Sequence, residues 1–211
     1  MSKSRDEQLS RSLSWVLRHQ AKALGLSISS DGYIAVADVL ACHKRFRGFK
    51  EEDVRRVVEN CPKQRYKLSL NSQQVLCIRA NQGHSIKSVQ DKELLKELSS
   101  DELMNQKCVV HGTNRRAWKD IQKCGALSRM TRKHMHFATG LPNEKGVVSG
   151  MRKGSEVHIY LDVNKCAEDS IIFYQSDNNV LLTAGKNEHG LLPLKYFAKV
   201  IDVEKRINVL L

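Results

Sequence analysis

The spacing of apolar residues changes partway along the chain, and this constrains the fold more than any other feature. In the front part Leu9, Leu13, Val16, Leu17 and Leu24 recur at helical steps, and Gly25 marks a stop. Beyond residue 107 the apolar residues come in short runs. These are Cys108-Val109-Val110, Met135-His136-Phe137, Val157 to Leu161, Ile171 to Tyr174 and Val180 to Thr183, each the length of a strand. One repeat cannot serve both textures. The 211 residues are therefore expected to hold two compact parts, a helix-rich front and a rear of mainly antiparallel strands, an α+β organisation.

In the front part an extended piece at Asp31-Gly32-Tyr33-Ile34 leads to a second helix, Val36 to Cys42. A third begins after Gly48, with Glu51, Glu52 and Asp53 suited to its N-terminus and Val54, Val57 and Val58 as its apolar face. Tyr66 to Leu70 and Val75 to Arg79 flank Asn71-Ser72-Gln73-Gln74, which reads as a hairpin with a four-residue loop. Helix, helix, helix, hairpin is the order of a winged-helix domain, a relative of the helix-turn-helix that usually meets nucleic acid, although many serve only as protein-binding modules. In the rear part helices are expected from Arg116 to Lys123, before Gly125, and from Glu144 to Lys153. The charged stretch 87–106 reads as the boundary, giving a front lobe over 1–90, a linker over 91–106 and a rear lobe over 107–211.

Charge points to a polyanionic partner. The formal net charge is +12, and residues 1–90 carry 16 of the 35 Lys and Arg against only 8 of the 23 acidic residues. Lys and Arg that replace the counterions of a nucleic acid gain affinity from their release; a basic protein kept soluble by its charge is the plainer alternative. Arg45, Arg47, Lys50, Arg55, Arg56, Arg65 and Lys67, on or beside the third helix and first hairpin strand, are the candidate RNA-binding residues. Six scattered cysteines show no CxxC and no zinc-like pairing with histidine, so reduced thiols and no metal are expected. The opening residues are polar and no apolar run has the length of a membrane span. An intracellular monomer, in the cytoplasm, the nucleus or both, is the expectation.

No GxxxxGK[ST] or GxGxxG nucleotide motif and no HExxH is present. Four segments nevertheless concentrate chemistry. Leu17-Arg18-His19 sets a guanidinium beside an imidazole, able to share a phosphate, although alone it reads as an ordinary surface pair. Arg79-Ala80-Asn81-Gln82-Gly83-His84-Ser85 crowds directional donors into one loop after the hairpin. His111-Gly112-Thr113 follows the run Cys108 to Val110 and reads as a small polar turn just past a strand. In Arg132-Lys133-His134-Met135-His136-Phe137, strand alternation would put Arg132, His134 and His136 on one face, suited to an anion.

Taken in order, LRH, RANQGHS, HGT and RxHxHF, followed by Gly150-Met151-Arg152 and Ser-Asp-Asn-Asn-Val-Leu-Leu-Thr at 176–183, closely resemble the tRNA 2′-phosphotransferase family. The resemblance runs from about Leu9 to about Val203, and RANQGHS is its most specific piece. It implies a winged-helix lobe followed by a lobe with the ADP-ribosyltransferase fold. It also implies a metal-free reaction on RNA bearing an internal 2′-phosphate, with NAD⁺ as co-substrate. The 2′-phosphate attacks C1″ of the nicotinamide riboside and expels nicotinamide. The ribose 2″-OH then attacks phosphorus, freeing the RNA 2′-OH and ADP-ribose 1″,2″-cyclic phosphate.

On the same resemblance Arg18, His19, Arg79 and Arg132 form the catalytic set, and His111, Gly112, Thr113, His136 and Val180 contact NAD⁺. Two positions depart from the family's F-x-R-S-x-N-G-V, where Gln175 replaces Arg and Asn179 replaces Gly. Two rivals share parts of this reading: an ADP-ribosyltransferase acting on nucleic-acid phosphates or protein, and a winged-helix nucleic-acid binder without turnover. Val180, where a protein-modifying transferase would carry Glu, speaks against the first. Arg18, Arg79 and Arg132 together speak against the second.

Overall fold

The computed structural model describes residues 3–142, 144–152 and 154–210. It divides into two compact units, Met1–Leu95 and Lys96–Leu211.

The first unit opens with α1 (Lys3–Trp15), which buries Leu9 and Leu13 completely. The helix runs on into a π-helical turn, Val16–Gln20, whose closing bond passes from the Ala21 N–H to the Val16 carbonyl at 2.9 Å. Such turns are rare inside helices and gather at functional sites. After Gly25 (φ +72) come β1 (Ile34–Ala35), α2 (Val36–Ala41), a 3₁₀ turn (Lys44–Phe46) and α3 (Glu51–Glu59). They are followed by β2 (Tyr66–Leu70), β3 (Leu76–Ala80) and α4 (Asp91–Leu94). Asp53 holds the start of α3 by accepting the Lys50 N–H at 2.9 Å, and Val54 and Val57 are buried. In the three-stranded antiparallel sheet β3 lies between β1 and β2, with Ile78 opposite both Ile34 and Leu68.

The hairpin loop has five residues, Asn71–Val75, where four were expected. Gln74 takes a left-handed φ of +60, and Asn71 Oδ1 accepts the N–H groups of Gln73 and Val75, so the second strand starts at Leu76. An Asn that binds the backbone of its own loop favours this longer closure.

The second unit contains β4 (Lys96–Glu97), α5 (Ser100–Met104), β5 (Val110–Thr113), α6 (Arg115–Cys124), β6 (Ala126–Ser128), β7 (Met135–Phe137) and β8 (Val157–Leu161). It continues with α7 (Val163–Glu168), β9 (Tyr174–Gln175), β10 (Leu181–Thr183), β11 (Leu191–Pro193), β12 (Phe197–Asp202) and β13 (Ile207–Asn208). Among the described residues the strands form two four-stranded sheets, ordered β4-β9-β10-β7 and β13-β12-β8-β5, and a β6–β11 pair, all antiparallel. The two larger sheets meet through an isolated bridge, where Val110 and Ala138 exchange backbone hydrogen bonds of 3.0 and 2.8 Å. Phe137, Phe173, Tyr196, Ile159 and Leu181 centre the core. The stretch 91–106 carries α4, β4 and α5, and the two units meet at Leu95 and Lys96.

The helix expected over 144–153 does not form. The described part of that stretch is turns and bends, with Gly146 at φ +87 and Gly150 at φ +108, values that an α-helix excludes; Lys153 lies outside the described residues. The expected strand over 171–174 is reduced to β9, Tyr174–Gln175. Among the described residues no helix is long and apolar enough to cross a membrane, and none of the six cysteines is in a disulfide.

Candidate active site

Two motifs far apart in sequence meet in the first unit. Arg18 and His19 lie on the π-helical turn. The Ser85 N–H donates to the Arg18 carbonyl at 2.9 Å, and the Ser85 hydroxyl lies 3.0 Å from His19 Nδ1. Gly83, at φ +83, turns the loop across the Arg18 side chain, which an added Cβ would touch at 3.6 Å. A half-buried guanidinium, an exposed imidazole and a serine hydroxyl are thereby gathered on one small surface.

Arg79 and His84 rest against a third segment. Arg79 is 7% exposed, donates Nη1–H to the Asp31 carbonyl at 3.2 Å and stacks 4.9 Å over the Tyr33 ring. His84 is buried beside Gly32, where a Cβ would fall 3.2 Å from its Nε2. The Asp31-Gly32-Tyr33 turn supports both residues and is the part of the site that sequence reasoning missed. Its Asp-Gly pair is a turn signal, read only as a connection. Lys67 directly opposes Arg79 across β2 and β3. Cations opposite one another in a sheet repel, and a phosphate between them relieves that repulsion.

The other basic residues divide by what they touch. The Arg45 guanidinium lies 4.4 Å over Trp15. Arg47 and Lys50, at the ends of the 3₁₀ turn and α3, are exposed. Arg65 Nη1 is 3.6 Å from Cys61 Sγ. Arg55 pairs with Glu51 at 2.7 Å, and Arg56 is held by Asp6 at 2.8 Å and Asp53 at 2.7 Å, so both direct their charge toward carboxylates of their own unit.

In the second unit His111, Gly112 and Thr113 lie inside a strand and not past its end. They pair with Ile159, His158 and Val157 of β8. A glycine within a strand often marks the close approach of another segment. Here that segment carries Met151: a Cβ on Gly112 would fall 2.2 Å from Met151 Cγ and 2.4 Å from its Sδ. His111 Nδ1–H donates to the His136 carbonyl at 2.9 Å. Burial holds the His111 imidazole below its ordinary 6.5, countered in part by that hydrogen bond, and the Arg132 charge lowers it further. The neutral ring with its proton on Nδ1 leaves Nε2 as an acceptor.

Arg132 does not share a strand face with His134 and His136. Met130 takes φ +56, the Arg132 N–H donates to the Arg129 carbonyl at 3.1 Å, and Arg129 Nη1 donates to the Arg132 carbonyl at 2.7 Å. This turn delays β7 until Met135. His136 pairs with Leu182 of β10, and His134 is buried with its ring 5.7 Å from Tyr174. Val180 is fully buried, its N–H donated to Ser176 Oγ at 3.1 Å. Asn179 sits at φ +57, a left-handed position its short amide tolerates where a glycine would otherwise be needed. Gln175 reaches Asn179 Oδ1 at 3.4 Å. Among the described residues no cluster of three or more His, Cys, Asp or Glu is arranged for a metal ion.

Comparison with known proteins gives first a class and then a family. The chain is 47% identical over 197 residues to tRNA 2′-phosphotransferase 1 of Danio rerio, covering 93% of this chain and 85% of that protein. It is 42% identical over 200 residues to tRNA 2′-phosphotransferase 1 of Homo sapiens, covering 94% and 77% respectively. A putative tRNA 2′-phosphotransferase of Schizosaccharomyces pombe is 46% identical over 191 residues, covering 90% of this chain and 50% of that protein. The chain is thus a transferase. The family described as RNA 2′-phosphotransferase, Tpt1 / KptA family, matches residues 4–185, and the chain belongs to it.

Proposed function

We propose that this protein removes an internal 2′-phosphate from tRNA with NAD⁺ as co-substrate, giving a 2′-OH, ADP-ribose 1″,2″-cyclic phosphate and nicotinamide. The observation that carries the reading is the meeting of Arg18 and His19 with Gly83 and Ser85. A planar guanidinium beside hydrogen-bonding donors suits a phosphate dianion. The relatives are named for action on tRNA. On this reading the first unit is a winged-helix lobe, supported by its helix order and by β3 lying between β1 and β2. The second is an ADP-ribosyltransferase-like lobe, supported by two antiparallel sheets joined at one bridge next to His111.

The donor set around His111 fits the ribose of NAD⁺. Nε2 of the neutral imidazole accepts a ribose hydroxyl, and the half-buried Thr113 hydroxyl lies on the same strand two residues on. His136 holds the imidazole in this tautomer through its carbonyl. NAD⁺ supplies the electrophilic C1″ and a nicotinamide leaving group. The 2′-phosphate is already a nucleophile, so the protein's task in the first step is positioning. In the second step charge spreads over phosphoryl oxygens, and Arg18, Arg79 and Arg132 stabilise it as fixed cations, with His19 as a further phosphate contact. Arg45, Arg47, Lys50, Arg65 and Lys67 hold the flanking RNA backbone, with a smaller share for the internally paired Arg55 and Arg56.

The test is a single-turnover reaction on a short RNA with one internal 2′-phosphate, with and without NAD⁺, and products resolved by mass. Loss of the phosphate only with NAD⁺, together with the cyclic phosphate and nicotinamide, is the expected result. A stable ADP-ribosylated RNA as final product refutes the second step, and phosphate loss without NAD⁺ refutes the mechanism.

A further inference from the structure

Trp15, the last residue of α1, lies one helical turn before His19. The indole is half-buried; the Arg45 guanidinium covers it at 4.4 Å and the His43 ring meets it edge-on with centroids 5.2 Å apart. Arg45 is exposed, and it also lines a groove of about 380 Å³ with Glu7, Gln8, Arg11 and Ser12 of α1. Glu7 and Arg11 face each other at 3.9 Å, which leaves the mouth of that groove near neutral. Gln8, Ser12, Trp15 and His19 fall at successive steps of four, three and four, a single stripe along the helix. At about 1.5 Å per residue the stripe is about 16 Å long, the length of a few nucleotides.

Unpaired bases are held by stacking on aromatic rings and on guanidinium planes, with polar side chains reading their edges. We propose that the Trp15–Arg45 stack and its groove form a subsite for the unpaired base next to the 2′-phosphate, rather than a cap that only steadies the end of α1. The base lies against the Arg45 plane, extending the indole–guanidinium stack, and the amide of Gln8 and the hydroxyl of Ser12 meet its edge. Exposed Lys44 and Arg47, on and beside the same 3₁₀ turn as Arg45, suit the adjoining phosphates. The inference rests on the reading of Arg18 and His19 as phosphate ligands.

The test compares Trp15→Ala, Trp15→Tyr and Arg45→Ala on three RNAs with one internal 2′-phosphate: intact, abasic on its 5′ side and abasic on its 3′ side. Trp15→Ala is expected to lower kcat/KM about tenfold on intact RNA through KM, as loss of one stacked base does. The penalty should vanish on one of the two abasic RNAs, and Trp15→Tyr should restore most of the loss. A penalty of equal size on all three RNAs, or no penalty on intact RNA, overturns the subsite. If Trp15→Ala fails to fold, Arg45→Ala carries the same comparison from a surface position. Should the unaltered protein show no turnover, the function fails but the subsite is still decided by binding. In a Trp118→Phe background, intact RNA must quench Trp15 fluorescence more strongly than one of the abasic RNAs, and equal quenching by all three overturns it.

Discussion

Replacing Gly112 by Ala probes the packing of Met151 on the strand that carries His111. Gly112 is not at a positive φ, so its backbone accepts a side chain, and the difficulty is space. The new methyl would sit 2.2 Å from Met151 Cγ, 2.4 Å from its Sδ and 2.4 Å from Ser155 Oγ. Carbon atoms rest at about 3.5 Å or more, so Met151 must retreat by about 1.3 Å. It is 8% exposed and packed with Val110 and Ala138, so retreat costs those contacts. Nor can its backbone give way: a Cβ on Gly150 would lie 2.7 Å from Ala138 Cα, so that segment already presses on its neighbour. Overpacking of this kind costs about 1–3 kcal/mol, and the lower chain entropy of Ala returns about 0.5–1 kcal/mol. The net loss is then about 1–2 kcal/mol. Urea unfolding followed by Trp118, which is 5% exposed in the core of the second unit, reads that loss in a Trp15→Tyr background. Adding Met151→Ala should recover much of it, with a coupling of at least about 0.5 kcal/mol in the double-mutant cycle. The KM for NAD⁺ should rise as well, since His111 and Thr113 flank the altered residue. An unchanged unfolding midpoint, or a cycle with no coupling, refutes the reasoning.

Three further outcomes are expected. Arg79→Ala should reduce single-turnover rate by about 10²–10³-fold, as loss of one fixed transition-state donor does, while salt-dependent RNA binding persists through the basic residues at 45–67; near-normal turnover refutes the assignment. The second unit should weaken as pH falls below about 6.5, because His111 and His158 are both held below that value when folded and take up protons more readily when unfolded. Stability from these rings is complete above that pH and is lost on acidification through their folded values. Equal urea midpoints at pH 7.5 and pH 5.5 contradict it. Gln175→Arg should lower the KM for NAD⁺ several-fold by adding a cation near the diphosphate; no change, or a rise, shows that the position does not face the co-substrate.

The front of the molecule was more legible than the rear, for identifiable reasons. Glu51, Glu52 and Asp53 followed by spaced valines announced α3, and Asn114 and Gly125 closed α6 at both ends, with Asn114 accepting the Ala117 N–H and Gly125 at φ +70. These are local signals that tertiary packing did not override. His111-Gly112-Thr113 was placed one element late because glycine reads as a turn until the partner strand is known. Its pairing with β8, some 45 positions away, sets the true register. The one-faced Arg132, His134 and His136 failed because alternation presumes a strand already begun, and Met130 at φ +56 starts a turn instead. The support of Arg79 and His84 by Asp31, Gly32 and Tyr33 is a long-range contact with no periodicity to betray it.

The wide turn at Val16–Gln20 gives the chain an unusual sensitivity to length. A π turn is equivalent to a helix that has absorbed one inserted residue. Removing a residue there would restore an ordinary α-helix at almost no cost in hydrogen bonds. It would also rotate everything that follows by about 100° relative to the Leu9 and Leu13 face. Arg18 and His19 would then be out of phase with Ser85 or with the buried side of the helix, whichever the remaining packing chose to keep. Surface loops such as Asn71–Val75 should tolerate single-residue deletions that this buried pentapeptide cannot, so a scan of such deletions along α1 would find its deepest minimum at the turn, not at any single side chain.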